Sequence, residues 1–245
     1  MVKWGQEFKW FPKHMKHRYN SWIEGLQWDW LISNQRYFGV AFPVWYCAKC
    51  DTPIIAEEKN LPIDPLTSKP QISKCPKCKS SDFIPDKDVL NTWFTSSLSP
   101  QLAIQLMPKA IQPHLFPMDL RPQAHEIITF WLFNTVVKSH LHYSKTPWKN
   151  TMISGLVTLR GEKMSKSKGN IVKPQDVLQK YGADALRYWS ANSKVGDDIE
   201  YQEQEVLAGA KFLNKIQNAT NFVFTNLEHQ SKVPELYETD RLFLN

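Results

Sequence analysis

The sequence predicts an α/β fold that carries a loop-rich insert and passes into an all-helical tail. Three observations predict it. Strand-like and helix-like runs alternate through the middle of the chain. All four cysteines fall in one stretch that also holds five prolines, from Pro53 to Pro76. The run Glu203–Leu227 keeps a helical spacing, with Val206, Leu207, Ala210, Leu213, Ile216, Ala219, Phe222 and Val223 on its apolar side.

The elements follow in order. Residues 1–46 form the first segment. Trp22, Ile23, Leu26, Trp30 and Leu31 have the spacing of an amphipathic helix, with Asn20 or Ser21 as its cap and Glu24 completing a capping box. Residues 40–46 are apolar and β-prone, and Pro43 assigns them to a sheet edge or the start of a strand. Residues 47–87 hold the cysteines, with five lysines between Cys47 and Cys78, and read as an insert with little core of its own. Residues 88–160 return to alternation. A polar and aromatic stretch leads to a helix at 126–142 that is apolar almost all round and therefore mostly buried. A buried strand at 151–159, with a glycine turn, comes next. Residues 161–200 open on a lysine-rich loop, 161–170, and continue as two helices, Pro174–Lys180 and Ala183–Asn192, separated by Gly182. Residues 201–245 begin with the long helix.

Composition bounds the function. The chain of 245 residues is long enough for a real core without a staple. With 42% hydrophobic and 22% charged residues it is not a disordered chain. No apolar run reaches the roughly 18 residues that cross a bilayer, so no membrane partner is expected. The N-terminus lacks the apolar centre of a signal peptide, and the expected compartment is the cytosol. Lys and Arg exceed Asp and Glu by 30 to 24, which permits a nucleic-acid partner without requiring one. Ten tryptophans point to pockets or stacking surfaces.

Cys47-x2-Cys50 and Cys75-x2-Cys78 are two knuckles separated by 24 residues, a little beyond the usual spacing. Two such knuckles wrap one tetrahedral Zn²⁺ with four thiolates. A closed site of this kind leaves no open position for substrate, so the metal is assigned to folding the insert. Two disulfides are the alternative, disfavoured in a cytosolic chain.

Lys163-Met164-Ser165-Lys166-Ser167 precedes Lys168-Gly169-Asn170. A charge run of this kind is ordinarily a solvated surface. Here it follows a strand and precedes a helix, where ammonium groups and hydroxyls can be brought onto a polyphosphate.

KMSKS is the second signature motif of the class I aminoacyl-tRNA synthetases. Four stretches, ISNQRYFGVAFPVWYC at 32–47, DVLNTWFTSSLSP at 88–100, RPQAHEIITFW at 121–131 and KMSKSKGNIVKPQDVLQKYGADALRYW at 163–189, together resemble the valyl-tRNA synthetases, in their archaeal-type branch. The resemblance covers nearly the whole chain, in the right order. It implies the second half of a class I Rossmann-type catalytic domain, with a zinc-knuckle insertion at 47–87 and the start of an anticodon-binding helical bundle at 201–245. It implies activation of valine with ATP and Mg²⁺, then transfer to tRNA(Val).

Residue roles follow from the resemblance. Lys163 and Lys166 are expected to place cations on the ATP phosphates, while Ser165 and Ser167 shape the loop. Met164, His125 and Glu126 belong to the implied ATP site, with Glu126 on the ribose hydroxyls. Glu126 also suits the start of a helix by its charge alone. Ser154, Gly155 and Leu156 resemble the adenine platform. Ile127 and Trp131, four apart, join Trp93 in the implied valine pocket, although an aromatic stripe of this kind is also what a core requires. Such a pocket rejects isoleucine by volume but not isosteric threonine, a limit for which this enzyme family is itself the standard illustration.

The family's HIGH motif and its editing insertion are not in this sequence. The chain therefore reads as a central piece of a larger enzyme, expected to be inactive alone unless a separate polypeptide supplies the HIGH half. Asn34 stands where the family has Arg, and Asn91 where it has Asp, either as decay or as a compensating pair. The alternatives are an isoleucyl-type ligase fragment, a non-catalytic zinc and RNA-binding module, and an inert remnant.

Overall fold

A computed structural model describes residues 1–227, 236–238 and 240–241. The other residues of the expected tail lie outside the described ones. The chain forms two compact units, Met1–Ser154 and Gly155–Asn245.

The first unit contains β1 (Lys9–Phe11), α1 (Lys16–Glu24), β2 (Ser33–Asn34), β3 (Val44–Cys47), β4 (Pro53–Ile55), β5 (Phe83–Pro85) and β6 (Val89–Leu90). It continues through α2 (Thr92–Ser96), α3 (Ser99–Gln105), β7 (Met118–Ala124), α4 (Phe133–Tyr143) and β8 (Trp148–Ser154). Its main sheet is parallel, in the order β1-β8-β7. The stretch β7–α4–β8 is thus one parallel crossover, the unit that builds α/β folds. In β8, Thr151 and Ile153 face inward while Met152 and Ser154 face out, as a strand period of two demands. Pro122 is tolerated in β7 because that strand lies at the sheet edge.

Packing explains the tryptophan count. Five of the ten, Trp10, Trp45, Trp131, Trp148 and Trp189, are buried. Trp131 and Trp148 stack at 5.6 Å, and join Phe8, Trp10, Tyr19, Leu132, Val136 and Ile153 in one core. Large rings supply much of the buried area that ties the short sheet to its helices. The expectation of pockets is met only in part.

Three local expectations are corrected. The first helix runs Lys16–Glu24 with Gly25 as its C-cap, so Asn20 and Ser21 lie inside it and Leu26, Trp30 and Leu31 beyond it. Of the two readings that Pro43 offered, the start of a strand holds, but that strand, Val44–Cys47, is not at an edge. It is the centre of the insert's own antiparallel sheet, β4-β3-β5, with Pro43 just before it. That sheet buries Val44, Trp45 and Ile54, and Trp45 Nε1 donates to the Ser68 carbonyl at 3.1 Å, so the insert packs on two residues of the preceding segment and has little core of its own. The helix at 126–142 starts as a tight 3₁₀ turn, His125–Ile127, then a wide π turn, Ile128–Leu132, before α4.

The second unit holds β9 (Val157–Leu159), β10 (Glu162–Lys163), α5 (Pro174–Tyr181), α6 (Ala183–Ala191), β11 (Ile199–Glu200) and α7 (Glu203–Leu227). The strand expected across 151–159 is therefore two strands in two sheets, broken at Gly155. The three strands order as β10-β9-β11. Val177, Ala185, Trp189 and Val206 form the core beneath the helices. Gly182, at φ +84°, separates α5 from α6 as the sequence indicated.

Candidate active site and metal centre

Open α/β folds bind ligands beyond the carboxyl ends of their parallel strands. Here Ala124 of β7 pairs in register with Ser154 of β8. His125 and Glu126 continue directly from the first strand, so the fold brings them to the same sheet edge as Ser154. Glu126 is exposed and His125 half-buried in the tight turn.

Gly155 has a steric reason to be glycine. A Cβ there would lie 2.0 Å from the Asp197 carbonyl oxygen. Leu156 donates its N–H to the Asp198 carboxylate at 2.7 Å and accepts from the Ile199 N–H at 2.9 Å. The close approach at this glycine is thus made by the chain's own backbone.

The three residues of the implied valine pocket come from α2 and from the turns before α4. Trp93 stacks on Phe130 at 6.0 Å and keeps about a third of its surface open. Ile127 is half-buried against the core. Trp131 is 6% exposed. Its indole N–H donates to the Ser96 carbonyl at 3.0 Å, and the Arg121 guanidinium lies 3.7 Å from the ring centre. The Ser96 bond ties α2 to the π turn and fixes Trp131 as a core residue. Of the two aromatic residues, Trp93 is the one with accessible surface.

The lysine loop is folded around Asn170. Its Oδ1 accepts from the Ser165 N–H at 2.8 Å, and its Nδ2 donates to the Lys163 carbonyl at 3.2 Å. Ser165 and Ser167 share a hydroxyl hydrogen bond of 2.8 Å, and Gly169 takes a left-handed φ of +67°. Lys168 is paired with Glu162 at 3.0 Å. Lys163 and Lys166 are exposed and Met164 is half-buried. The hydroxyls and backbone bonds set the loop's shape, and the two exposed lysines sit at its surface.

The cysteines converge. Their four sulfurs lie within 4.8 Å of one another, with Cys47–Cys78 at 3.4 Å and Cys50–Cys75 at 3.6 Å. A Zn–S bond of about 2.3 Å in a tetrahedron puts sulfurs about 3.8 Å apart. The same distances are far beyond a disulfide bond of about 2.05 Å. The two knuckles are built alike. Asp51 and Lys79 each adopt positive φ and donate back to the carbonyl of the leading cysteine, Cys47 and Cys75. The Cys50 thiol is lowered to about 6, chiefly by the Thr52 hydroxyl and then by its backbone amide. Cys75 is lowered through the Cys78 backbone amide. Cys78 goes the other way: the Ser80 backbone amide lowers it, but burial and the other cysteines raise it to about 12, so it is the tetrahedral spacing of four sulfurs that fits a divalent metal of the zinc type.

The two departures noted in sequence meet in space. Asn91 Nδ2 donates to Asn34 Oδ1 at 3.2 Å, across the short β2–β6 ladder. Asn91 Oδ1 also caps α2 by accepting from the Trp93 N–H at 2.8 Å. Two neutral amides thus hold the two positions together.

Sequence reasoning missed Arg121 and Lys138. Lys138 is buried in α4, donates to the Phe94 carbonyl and lies 3.3 Å from the centre of the Phe94 ring. Burial lowers its pKa to about 8. A lysine inside an all-round apolar helix was the available signal.

Comparison with known proteins defines the class. A family model described as tRNA synthetases class I (I, L, M and V) matches residues 1–202. The chain belongs to the class I tRNA synthetases. It is 46% identical to a valine–tRNA ligase of Thermoplasma acidophilum over 220 residues, covering 89% of this chain and 27% of that protein. An Agrobacterium radiobacter LeuRS, solved in a ternary complex with tRNA and LeuAMS, superposes with a TM-score of 0.67 at 25% identity, over 87% of this chain and 30% of that one. A methionyl-tRNA synthetase of Mycobacterium tuberculosis bound by methionyl-adenylate gives 0.66 at 17% identity, over 98% and 41%, and supports the fold alone. The chain thus spans less than a third of the length of the valine–tRNA ligase. The expected fold, part of a class I catalytic domain, agrees with these neighbours.

Proposed function

We propose that this chain carries part of the active site of a valine–tRNA ligase. The reaction joins valine to ATP, releasing pyrophosphate, and passes the valyl group to tRNA(Val). The observation that carries the reading is the 46% identity with a valine–tRNA ligase across almost the whole chain. The position of Glu126 and Ser154 at one carboxyl edge supports it, as does the preshaped loop with two exposed lysines.

In this reading the valine carboxylate attacks the α-phosphorus, and charge develops on the departing pyrophosphate. Lys163 and Lys166 stabilise that charge, with Mg²⁺ bound to ATP. Ser165, Ser167 and Met164 set the loop's approach. Glu126 accepts hydrogen bonds from the ribose, His125 flanks it, and the backbone at Ser154, Gly155 and Leu156 supports the adenine. Trp93 and Ile127 bound the valine side chain, with Trp131 as their support. The four cysteines hold a structural Zn²⁺. The protein works in the cytosol, with a polypeptide segment bearing the HIGH motif completing the site.

Valine-dependent exchange of pyrophosphate into ATP tests this, with the remaining length of a relative supplied as a second polypeptide. Exchange with valine, and little with isoleucine, is expected. Isoleucine-dependent exchange would replace the reading with the isoleucyl type. No exchange with either amino acid would favour the binding-module alternative.

A further inference from the structure

A basic cluster stands where β1 leaves the main sheet. From Phe8 to Ile23 the chain holds Lys9, Lys13, Lys16, Arg18, His14 and His17, and no Asp or Glu. Glu7, just before this stretch, lies 3.2 Å from His140 Nε2. Lys9, Lys13, His14, His17 and Arg18 are exposed. β1 is parallel to β8 and ends at Phe11, which pairs with Met152, two residues before Ser154. A tight turn, Lys13–Met15, and then α1 follow directly. The cluster therefore begins at the carboxyl edge of the sheet, the edge that also carries Ser154 and Glu126.

Helix geometry gathers the charges. The turn runs into α1 without a break, so His14, His17 and Arg18, three and four residues apart, share one exposed face. Neighbours at that spacing have Cβ atoms about 5–6 Å apart. Stability does not account for the arrangement. Basic side chains at the start of a helix oppose its dipole, and the first turn of α1 has neither an acid nor a side-chain cap. Like charges three and four residues apart also repel. No ion pair among the described residues takes up Lys9, Lys13, Lys16 or Arg18.

A polyanion would offset this charge, and the neighbouring surface indicates its kind. Phe11 is 47% exposed and Met152, its partner in register, 37% exposed. Both face outward, since Trp10 and Thr151, the pair before them, are buried. An open ring beside a line of cations is the combination that holds single-stranded nucleic acid, with bases on the ring and phosphates on the cations. An acidic peptide would use the cations and leave the ring idle. A membrane surface needs a helix with an apolar side to insert, whereas α1 turns Tyr19, and the turn before it Met15, into the core.

We propose that the edge formed by Phe11, Lys13, His14, His17 and Arg18 binds the backbone of a single-stranded RNA segment, with a base stacked on Phe11. The proposal rests on the ligase reading for the identity of the strand as RNA. Its test needs neither valine nor ATP, so its failure is distinct from a failure of that reading. Binding of a fluorescein-labelled single-stranded RNA of about ten nucleotides to the full chain is followed by anisotropy across a range of salt concentrations. The logarithm of affinity should fall with the logarithm of salt by about 0.7 for each phosphate neutralised. Lys13→Gln with Arg18→Gln should remove two such contacts, making the slope shallower by about 1.4. The same variant should keep or raise the melting temperature, because it removes charge that opposes the helix dipole. Phe11→Ala should weaken binding by about fivefold or more while leaving the slope, since stacking releases no counterions. Lys149→Gln, on the same sheet but paired with Asp119, should change neither. These changes would support the edge even if valine-dependent exchange failed. An unchanged slope in the double variant would overturn the proposal, and so would wild-type affinity in Phe11→Ala. Loss of binding to phosphatidylserine vesicles with RNA binding intact would also overturn it, in favour of a membrane surface.

Discussion

Two lysine-rich segments of this chain look alike in composition and differ in construction. The insert, 47–87, turns inward. Its knuckles are closed by backbone bonds, its sulfurs face one another, and it packs on Trp45. The loop at 161–170 turns outward. Asn170, the Ser165–Ser167 hydroxyl bond and two backbone turns hold its shape while Lys163 and Lys166 stay exposed. The lesson is that lysine content says little about a segment's role. The surroundings decide: four sulfurs that face one another close a segment inward, whereas the loop's bonds through Asn170 leave its lysines exposed.

The largest effect that would sharpen this contrast is at the closed segment. Cys75→Ser should reduce bound zinc from one per chain to almost none and unfold the insert, since metal binding and folding are linked in such sites. Metal analysis and protease sensitivity of 47–87 measure it. Retained metal at full stoichiometry would break the comparison. At the open segment, Lys166→Ala should leave the melting temperature within error, yet lower pyrophosphate exchange of the completed enzyme by about a hundredfold, as removing one transition-state contact does. The loss should fall on kcat more than on the KM for valine.

Glycines give the next scale. Gly155→Ala forces a Cβ onto the Asp197 backbone and should cost about 1–3 kcal/mol, the range for overpacking. Gly169→Ala meets nothing within 4 Å and should cost only about 1 kcal/mol of backbone strain. Thermal unfolding of the pair distinguishes packing from conformation. Asn91→Ala should cost about 1 kcal/mol through loss of the α2 cap. The double change Asn34→Arg with Asn91→Asp should recover stability that Asn34→Arg alone loses.

Lys138 supplies a third setting for lysine, and a pH signature. Burial lowers its pKa to about 8 in the folded chain, against about 10.4 unfolded. Between these values the unfolded chain holds the extra proton, so stability should rise with pH from about 8. The rise should vanish in Lys138→Met. Above about 10 the raised Tyr19 opposes it, because the unfolded tyrosine loses its proton first. Denaturant midpoints from pH 7.5 to 10 read the window.

Much of this was legible in the sequence. The knuckle spacing indicated the sulfur cluster, and Pro174 and Gly182 marked the bounds of α5 and α6 because those residues punctuate helices directly. The long helix α7 starts at Glu203, as its apolar spacing indicated, and continues through Leu227, the last described residue of that stretch. What stayed hidden depended on distant partners. Val44–Cys47 became a central strand because residues 53–55 and 83–85 pair on either side of it. The π turn contains Trp131, whose indole bonds to Ser96, 35 residues earlier in the chain. No pattern announced that Asn34 and Asn91 would touch.

The role of Asn170 bears on which sequence changes the loop can absorb. One carboxamide grips both the Ser165 amide and the Lys163 carbonyl, so the eight residues from 163 to 170 form a ring closed by a single buckle. A ring tolerates exchange of its outward beads but not a change in their number. Substitutions at Lys168 should therefore pass through a mutational library, while a one-residue insertion or deletion between Ser165 and Asn170 should be eliminated, even where every charge is kept.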